Sequence, residues 1–323
     1  MRSVRSILQL TARLALVATC AAALACHGDA GGASGATTKT IGVTLLTREH
    51  EFYRELEAGL RQSADQHHYK LIVTSGDFDL AKQQSQIDNF IVQHVDAIIV
   101  CPVDSKGIAP AIKKATAAGI PVFTADIAAQ GAPVVSHVAS DNIAGGKLAA
   151  QYIAKALGGK GQVGLIGEPE VQSTIDREAG FRQALKAYPG LTLVSSLNGE
   201  GVRDRALKAA DDMLQAHPEI DAIFAINDES ALGVLSSAES RHDDSLVIVG
   251  YDATPEAQRA IAGHTPLKAD VAQQPRVIGT ETIDAIAQHF AGKTPPARIA
   301  VPIRIVDADS VRAMQTAAAA PHP

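Results

Sequence analysis

The sequence predicts an α/β protein made of two doubly wound parallel sheets. First, apolar, β-branched runs alternate regularly with amphipathic stretches from Thr40 onward, which is typical of strand–helix repeats. Second, the runs are almost continuously apolar, as expected for parallel strands covered by helices on both faces. Third, 323 residues with 46% hydrophobic and 20% charged residues fit about two globular domains.

The first unit begins at Thr40 and extends to about Asp126. A further strand is expected within 133–139, and a second unit follows to about Val271. The expected strands, in order, are Ile41–Leu46, Leu71–Thr74, Ala97–Cys101, Val122–Ala125, Val163–Ile166, Leu191–Val194, Ala222–Ile226 and Val247–Gly250, with a last one at Ile299–Val306. The clearest expected helices are Glu51–His67, Leu80–Gln93, Ala144–Leu157, Arg177–Ala187, Arg203–Gln215 and Pro275–Phe290.

The N-terminal segment has the pattern of an export signal. Basic residues precede a short apolar stretch, Leu14–Leu24, which is too short for a stable membrane span. We therefore expect a signal peptide over 1–25. Cys26 lies where a lipidated cysteine would stand, and the small and polar residues of 26–39 have the composition of a flexible tether.

Composition excludes several kinds of function. The net charge is −6 and there is no basic run, so nucleic-acid binding is not expected. The pattern G-x-G-x-x-G at 159–164 precedes a strand instead of joining a strand to a helix, so it does not indicate a dinucleotide site. Adjacent histidines at 67 and 68 lack further ligands at useful spacing, and neither a metal nor a cofactor is expected.

Polar side chains that follow the strands indicate a ligand site. Asn227 and Asp252 follow two successive buried runs, and ligands of open α/β sheets bind outside the carboxyl ends of the strands. These two residues should therefore lie side by side. Asp126, Arg177 and Gln273 hold comparable positions, although each such residue can also serve as a helix cap or turn former. Asp141 and Asp228 are interpreted as caps.

The hydrogen-bonding groups of these residues suit adjacent hydroxyls, and the aromatic faces of Phe52 and Tyr53 suit the apolar face of a sugar ring. Four segments resemble the periplasmic ribose-binding proteins, which are type I periplasmic binding proteins. The segments are 135–147, 225–233, 249–255 and 272–275, and the resemblance extends over about residues 40–309. It implies two domains joined by a three-strand hinge, which close on a sugar and present it to an ABC permease.

With this resemblance, the expected organisation is one lobe of 40–140 plus 273–300 and another of 141–272 plus 301–309. A disordered tail is expected over 310–323. The protein would be a monomer outside the cytoplasm, in the periplasm or cell envelope, reaching the membrane only through a lipid at Cys26. Its partners would be a sugar ligand and an ABC permease with its ATPase subunit, with a chemoreceptor as a second candidate receiver of the closed form.

The sugar contacts of the family carry over unevenly. Asp126, Arg177, Asn227, Asp252 and Gln273 match residues that hydrogen-bond the sugar, and Phe52 and Tyr53 match aromatic ones. His50 and Cys101 stand where asparagine is usual, Ile127 replaces an arginine, and Gly201 falls near an expected phenylalanine. The resemblance therefore implies a related ligand other than ribose: another pentose, a deoxy sugar, a sugar alcohol, or a hexose using the space near Gly201.

Three alternatives accompany this interpretation. A sensor of the same sugar, feeding a chemoreceptor or membrane kinase, would look identical in sequence and would be separated by its gene neighbours. A cytoplasmic repressor would need a basic helix-turn-helix before the first strand, where only the signal-like segment stands. A sugar hydrolase would need paired carboxylates at a defined separation. Asp126 and Asp252 could face each other across the cleft, but Arg177 and Asn227 beside them suit the binding of hydroxyls, so no enzyme activity is expected.

Overall fold

The computed structural model of the protein describes residues 38–319, which form two α/β domains, each built around a six-stranded sheet. The expected signal peptide, Cys26 and nearly all of the tether lie outside the described residues. No helix within 38–319 combines the length and the apolar character needed to cross a bilayer.

The first domain contains strands β1–β5 and β11. The strands are β1 (Thr40–Leu45), β2 (Lys70–Ser75), β3 (Ala97–Val100), β4 (Val122–Ala125), β5 (Ser136–Ser140) and β11 (Arg298–Val301). Its helices are α1 (Glu51–Gln66), α2 (Leu80–Val92), α3 (Ala109–Ala117) and α9 (Pro275–Phe290). The strand order is β11-β5-β4-β3-β1-β2, and all neighbours are parallel.

The second domain contains strands β6–β10 and β12. The strands are β6 (Lys160–Gly167), β7 (Gly190–Asn198), β8 (Ile220–Ala225), β9 (Val247–Asp252), β10 (Leu267–Ala272) and β12 (Arg304–Asp307). Its helices are α4 (Asn142–Ala156), α5 (Gln172–Leu185), α6 (Arg203–Ala216), α7 (Asp228–Ser240), α8 (Pro255–Ala262) and α10 (Ala308–Ala319). The order is β12-β10-β9-β8-β6-β7, and only β12 runs antiparallel. The predicted fold class is confirmed.

Burial on both faces of each sheet explains the continuous apolar runs. In β3, Ile99 packs in the core on one face of the sheet, whereas Ile98 and Val100 pack in the core on the other face. All four residues of this strand are buried. Successive side chains of a strand point to opposite faces, so a strand covered by helices on both sides needs an apolar residue at every position.

The chain passes between the two sheets three times. The passages are at Asp141 between β5 and α4, at 273–274 between β10 and α9, and at 302–303 between β11 and β12. These three segments are the hinge that the resemblance implied. The passage at 273–274 follows β10 directly, and Gln273 in it donates a hydrogen bond to Asp252 at the end of the neighbouring strand β9, so the carboxyl ends of these two strands lie where the chain enters the first domain.

The C-terminal segment differs from the expected disordered tail. Helix α10 covers Ala308–Ala319, and Asp307 accepts a hydrogen bond from the Ser310 amide at 2.9 Å, which stabilises the start of the helix. Val311 is 2% exposed and packs in the core of the second domain. Alanine favours helix, and one buried face gives the segment a place to dock, so the alanine-rich composition was misleading. Residues 320–323 lie outside the described part.

Candidate functional site

The candidate site lies in a cleft between the two domains. Its central cavity, called here the cleft cavity, is lined from the first domain by Leu46, His50, Phe52, Tyr53, Phe78 and Ile127. From the second domain and the passage at 273–274 it is lined by Glu168, Val171, Ser173, Thr174, Arg177, Asn227, Asp252 and Gln273. Eight of the ten residues expected from the sequence to contact ligand are in this lining. Asp126 and Cys101 are outside it.

Asn227 and Asp252 are neighbours at one edge of the second sheet, as the strand-end pattern predicts. Strands β8 and β9 pair in parallel, Asn227 caps the helix after β8, and Asp252 ends β9. The Asp228 amide donates a long hydrogen bond of 3.5 Å to Asp252 Oδ2. The register of two adjacent parallel strands thus brings residues 25 positions apart to one edge.

Arg177 is held rigidly by the core of the second domain. Its Nε donates to Asn142 Oδ1 at 2.9 Å, and its Nη1 donates to the Ile226 carbonyl at 2.7 Å. The guanidinium lies 3.8 Å from the centroid of the Tyr251 ring, a cation–π contact. With 4% exposure and three fixed contacts, the guanidinium has one orientation. Nη2 makes no hydrogen bond to residues 38–319 and remains available to the cleft.

Two glycines bring helix α5, which carries Arg177, against helix α4. A Cβ on Gly146 would lie 1.9 Å from the Arg177 carbonyl oxygen, and a Cβ on Gly180 would lie 2.0 Å from the Ile143 carbonyl oxygen. Any larger residue would separate the helices. The close approach places Asn142, at the start of α4, within reach of Arg177. Helix α5 begins at Gln172, five residues before the start expected from the sequence, so Arg177 lies in its second turn.

Asp252 and Gln273 form a polar pair beside Arg177. Gln273 Nε2 donates to Asp252 Oδ1 at 2.7 Å, and Arg177 Nη1 lies 4.0 Å from the same oxygen. Burial raises the pKa of the Asp252 carboxyl to about 8, although the nearby Arg177 charge opposes the rise. Gln273 Oε1 is buried and has no hydrogen-bond partner in the described protein.

Asp126 lies just behind the lining and reaches the site through Tyr53. The Tyr53 hydroxyl donates to Asp126 Oδ2 at 2.7 Å, so Tyr53 is more than the aromatic face expected from the sequence. Asp126 is 4% exposed, and its Oδ1 has no hydrogen-bond partner among the described residues. Burial raises the pKa of this carboxyl, whereas Arg177 and the Tyr53 hydroxyl lower it.

Asn227, and not Asp228, caps the helix that follows β8. Asn227 caps α7, because its Oδ1 accepts from the Ser230 amide at 2.9 Å, while its Nδ2 donates to the Gly201 carbonyl at 3.0 Å. Asp228 is buried and accepts from the Thr254 amide at 2.6 Å, which links the ends of β8 and β9. The interpretation of Asp228 as a cap is therefore wrong, whereas Asp141 does cap α4.

Three of the positions that differ from the ribose-binding proteins, His50, Ile127 and Cys101, lie in different surroundings. His50 packs against Phe78 with ring centroids 5.5 Å apart, and burial lowers its pKa. Ile127 is 2% exposed and lines the cleft cavity. Cys101 has no exposed surface and packs in the core of the first domain, while its backbone pairs with Thr44. Its side chain therefore has no access to the cleft cavity, and we leave Cys101 out of the proposed site.

The two domains touch across the cleft, so the structure represents a closed arrangement. The Ser105 amide donates to the Glu170 carbonyl at 3.1 Å, and the Ser105 hydroxyl accepts from the Gln172 amide at 2.8 Å. Gln130 and Gln172 also form a hydrogen bond across the same boundary. These contacts lie on the strand-end side of both sheets and enclose the lining residues.

Two residues of the site were missed in the sequence. Asn142 follows Asp141 at a helix start, where asparagine ordinarily caps, and its role in orienting Arg177 depends on the packing of α4 on α5. Glu168 belongs to the short acidic stretch Glu168-Pro169-Glu170, which looks like a surface loop. It is nevertheless 8% exposed and lines the cleft cavity.

Replacing Glu168 by glutamine should stabilise the unliganded protein relative to wild type. This difference in the free energy of unfolding should increase from pH 5 to pH 8. Burial and Glu170 raise the pKa of Glu168 from 4.5 to about 7. The folded state then holds a proton that the unfolded chain releases, so this residue lowers stability as pH rises between those values. The difference should approach about 3 kcal/mol by pH 8.

Chemical denaturation of wild type and Glu168→Gln across this pH range measures the effect. Glu239→Gln, at an exposed position, is the matched control and should give no pH-dependent difference. A Glu168→Gln difference that stays constant from pH 5 to pH 8 would contradict the expected ionisation behaviour of the buried carboxyl.

Comparison with known proteins places the chain in a defined context. The model of a family described as "periplasmic binding protein domain" matches residues 41–294. Ribose import binding protein RbsB of Bacillus subtilis (strain 168) is 36% identical over 267 residues, which cover 82% of this chain and 86% of that protein. A xylitol-binding protein of Mycolicibacterium smegmatis is 29% identical, over 79% of this chain and 74% of the relative.

Solved structures give the same fold. A periplasmic solute-binding protein of an ABC transporter from Actinobacillus succinogenes, crystallised with bound D-allose, superimposes with a TM-score of 0.80 at 27% sequence identity. The alignment covers 85% of this chain and all of that protein. The likeness thus extends over both domains.

Proposed function

This chain belongs to the periplasmic binding protein family, in its ribose-binding-protein-like branch, and from that premise we propose that it is the solute receptor of a sugar ABC importer. Members of this family are carriers and not enzymes. The receptor binds a monosaccharide or related polyol between its domains and presents it to a permease with its ATPase subunit. A lipid at Cys26 would hold the exported protein at the membrane.

Unpartnered polar atoms from both sides of the cleft are the observation that carries this proposal. Asp126 Oδ1 belongs to the first domain, Arg177 Nη2 to the second, and Gln273 Oε1 to the passage between them. Asp126 Oδ1 and Gln273 Oε1 are buried, and a buried polar group without a partner costs about 1–3 kcal/mol. Polar atoms left without partners in the cleft lining and just behind it therefore call for a ligand that pairs with them. A polyol supplies both donors and acceptors, and can pair with all three.

Aromatic side chains support the same class of ligand. Phe52 and Tyr53 line the cavity with rings at 82° to each other and centroids 5.2 Å apart. Such a corner offers an apolar surface beside hydrogen-bonding groups, as a sugar ring requires. The replacement of polar family residues by His50 and Ile127 argues for a ligand other than ribose: another pentose, a deoxy sugar, a sugar alcohol or a hexose.

The two domains should close on the ligand, because the groups that contact it belong to both of them. We propose that residues 40–140 with 273–300 move as one lobe, and that residues 141–272 with 301–309 move as the other. A ligand that pairs with Asp126 and Arg177 together gains contacts only when the lobes meet, so its binding favours the closed state. The hydrogen bonds of Ser105 to the second domain add to the stability of that state.

A melting-temperature screen of the purified protein against pentoses, hexoses and polyols tests the proposal. A true ligand at about 100 times its dissociation constant should add about 2.7 kcal/mol to the stability. Amino acids at the same concentrations serve as the control class and should give no shift. If amino acids raise the melting temperature and no carbohydrate does, the receptor binds another class of solute.

A further inference from the structure

A second cavity adjoins the cleft cavity and shares two lining residues with it. This side cavity has a volume of about 570 Å³ and, like the cleft cavity, is lined by Phe78 and Glu168. Val103 and Asp104 of the first domain and Asn198 and Val202 of the second complete much of its wall. Phe78 and Glu168 therefore lie at the boundary between the cleft cavity and the side cavity.

Glu168 stands at the junction with a carboxylate that the protein leaves unpartnered. The residue is 8% exposed, and no hydrogen bond or ion pair to its carboxylate exists within residues 38–316, although its backbone carbonyl accepts from the Thr174 hydroxyl. Burying a carboxylate without a donor is costly. The group is thus placed to accept hydrogen bonds from something outside the chain.

The Glu168 carboxylate occupies space that is free because residue 201 is a glycine. A Cβ at Gly201 would lie 2.7 Å from Glu168 Oε2, and the backbone of Gly201 has φ +65°, which other residues rarely adopt. The space expected from the sequence to be open near Gly201 is therefore occupied by the Glu168 carboxylate. An acidic group stands where the resemblance implied an aromatic ring.

The charge around the side cavity selects against anions. Its lining includes three further carboxylates, of Asp104, Glu170 and Glu200. Arg205 is the basic residue of this lining, and its Nε lies 3.8 Å from Glu200 while its side chain is 65% exposed. Carboxylates without a matching cation repel a negatively charged ligand group and attract one that donates hydrogen bonds.

We infer that Glu168 is a specificity-determining residue, and that it accepts hydrogen bonds from a hydroxyl or amino substituent that extends from the sugar ring into the side cavity. The ligand class is then a neutral or cationic sugar larger than a pentose, such as a hexose or an amino sugar. Uronic acids and sugar phosphates are excluded. This inference rests on the proposed function, since it names the ligand of the same cleft.

Matched sugars test the inference by calorimetry. D-Allose and D-ribose, D-galactose and L-arabinose, and D-glucose and D-xylose are pairs whose pyranose forms differ only by a hydroxymethyl group. In at least one pair, the affinity of wild type for the hexose should exceed its affinity for the pentose by at least about tenfold, which one to two hydrogen bonds can provide. The 6-amino derivative of that hexose shows which donor Glu168 prefers. If the derivative binds more tightly than the hexose, the natural donor is an ammonium group; if it binds equally or more weakly, the donor is a hydroxyl.

Substitutions at Glu168 connect the preference to this side chain. Glu168→Ala should weaken hexose binding about tenfold and leave pentose binding within about threefold, so the preference nearly disappears. Glu168→Gln keeps the shape and should remove any advantage of the amino derivative. Glu239→Gln, at an exposed position of helix α7 outside both cavity linings, is the control and should retain the preference.

Three results would overturn the inference while leaving the proposed function intact. They are pentose binding without any hexose preference, equal loss of pentose and hexose binding in Glu168→Ala, and a uronic acid that binds as tightly as its hexose. If wild type binds no sugar at all, the proposed function fails together with this inference. Retained pentose binding also serves as the check that the variants are folded.

Discussion

Arg177→Ala should bind the cleft ligand about 30- to 1000-fold more weakly than wild type, a loss of about 2–4 kcal/mol. The guanidinium is fixed by Asn142, the Ile226 carbonyl and the Tyr251 ring, so its free Nη2 reaches the cleft at no further cost of ordering. Its removal also leaves Asp252, 4.0 Å away, without its nearest positive charge when ligand closes the cleft.

Titration calorimetry with the strongest sugar from the screen measures this loss. Arg177→Lys keeps a charge without the planar fork and should bind with intermediate affinity. Arg182→Ala removes an exposed arginine from the same helix and should bind like wild type. Wild-type affinity in Arg177→Ala would remove Arg177 from the site. Because the residue is buried, melting temperatures of both Arg177 variants establish that they are folded.

Asp126→Asn should weaken ligand binding about 10- to 100-fold without lowering the melting temperature of the unliganded protein. In the structure the carboxylate is buried, and burial raises its pKa, so the fold disfavours the ionised form. Asparagine removes that charge. It also replaces an acceptor by a donor at one of the two oxygen positions, and a ligand hydroxyl then loses its partner.

A loss of affinity without a loss of stability distinguishes a ligand contact from a structural residue. A structural carboxylate would lose both together on substitution, which is the result that would contradict this prediction. Tyr53→Phe is the companion variant, because it removes the hydrogen bond to Asp126 Oδ2 and keeps the ring. It should weaken binding less than Asp126→Asn, since Asp126 Oδ1 remains.

The features that follow from strand pattern were predictable from the sequence. Strands β8 and β9 are short apolar runs buried on both faces, and their pairing places Asn227 and Asp252 together with no need for long-range information. The use of each polar atom was not predictable. Whether Asn227 caps α7 or meets a ligand depends on the position of the Gly201 carbonyl, which the strand pattern does not contain.

Residues that act through packing also escaped prediction. Asn142 has the sequence pattern of a helix cap, yet it orients Arg177. Cys101 aligns with a ligand contact of the family, yet it is buried in the core. Glu168 and Glu170 stand two positions apart in one acidic stretch, and only the fold decides that the first is buried and the second is exposed. Local sequence carries no signal for that difference.

The third passage between the domains has a consequence for the order in which the protein can be made. Strand β11 completes the first sheet beside β5. The Ser136 hydroxyl donates a hydrogen bond to the carbonyl of Pro296, which is 160 residues away in the sequence. Strand β12 then adds to the second sheet. A chain that emerges from its N-terminus leaves both sheets unfinished until its last strands appear. Completion of the fold is therefore a late event in biosynthesis, and a shortened chain ending before Arg298 lacks the final strand of each sheet.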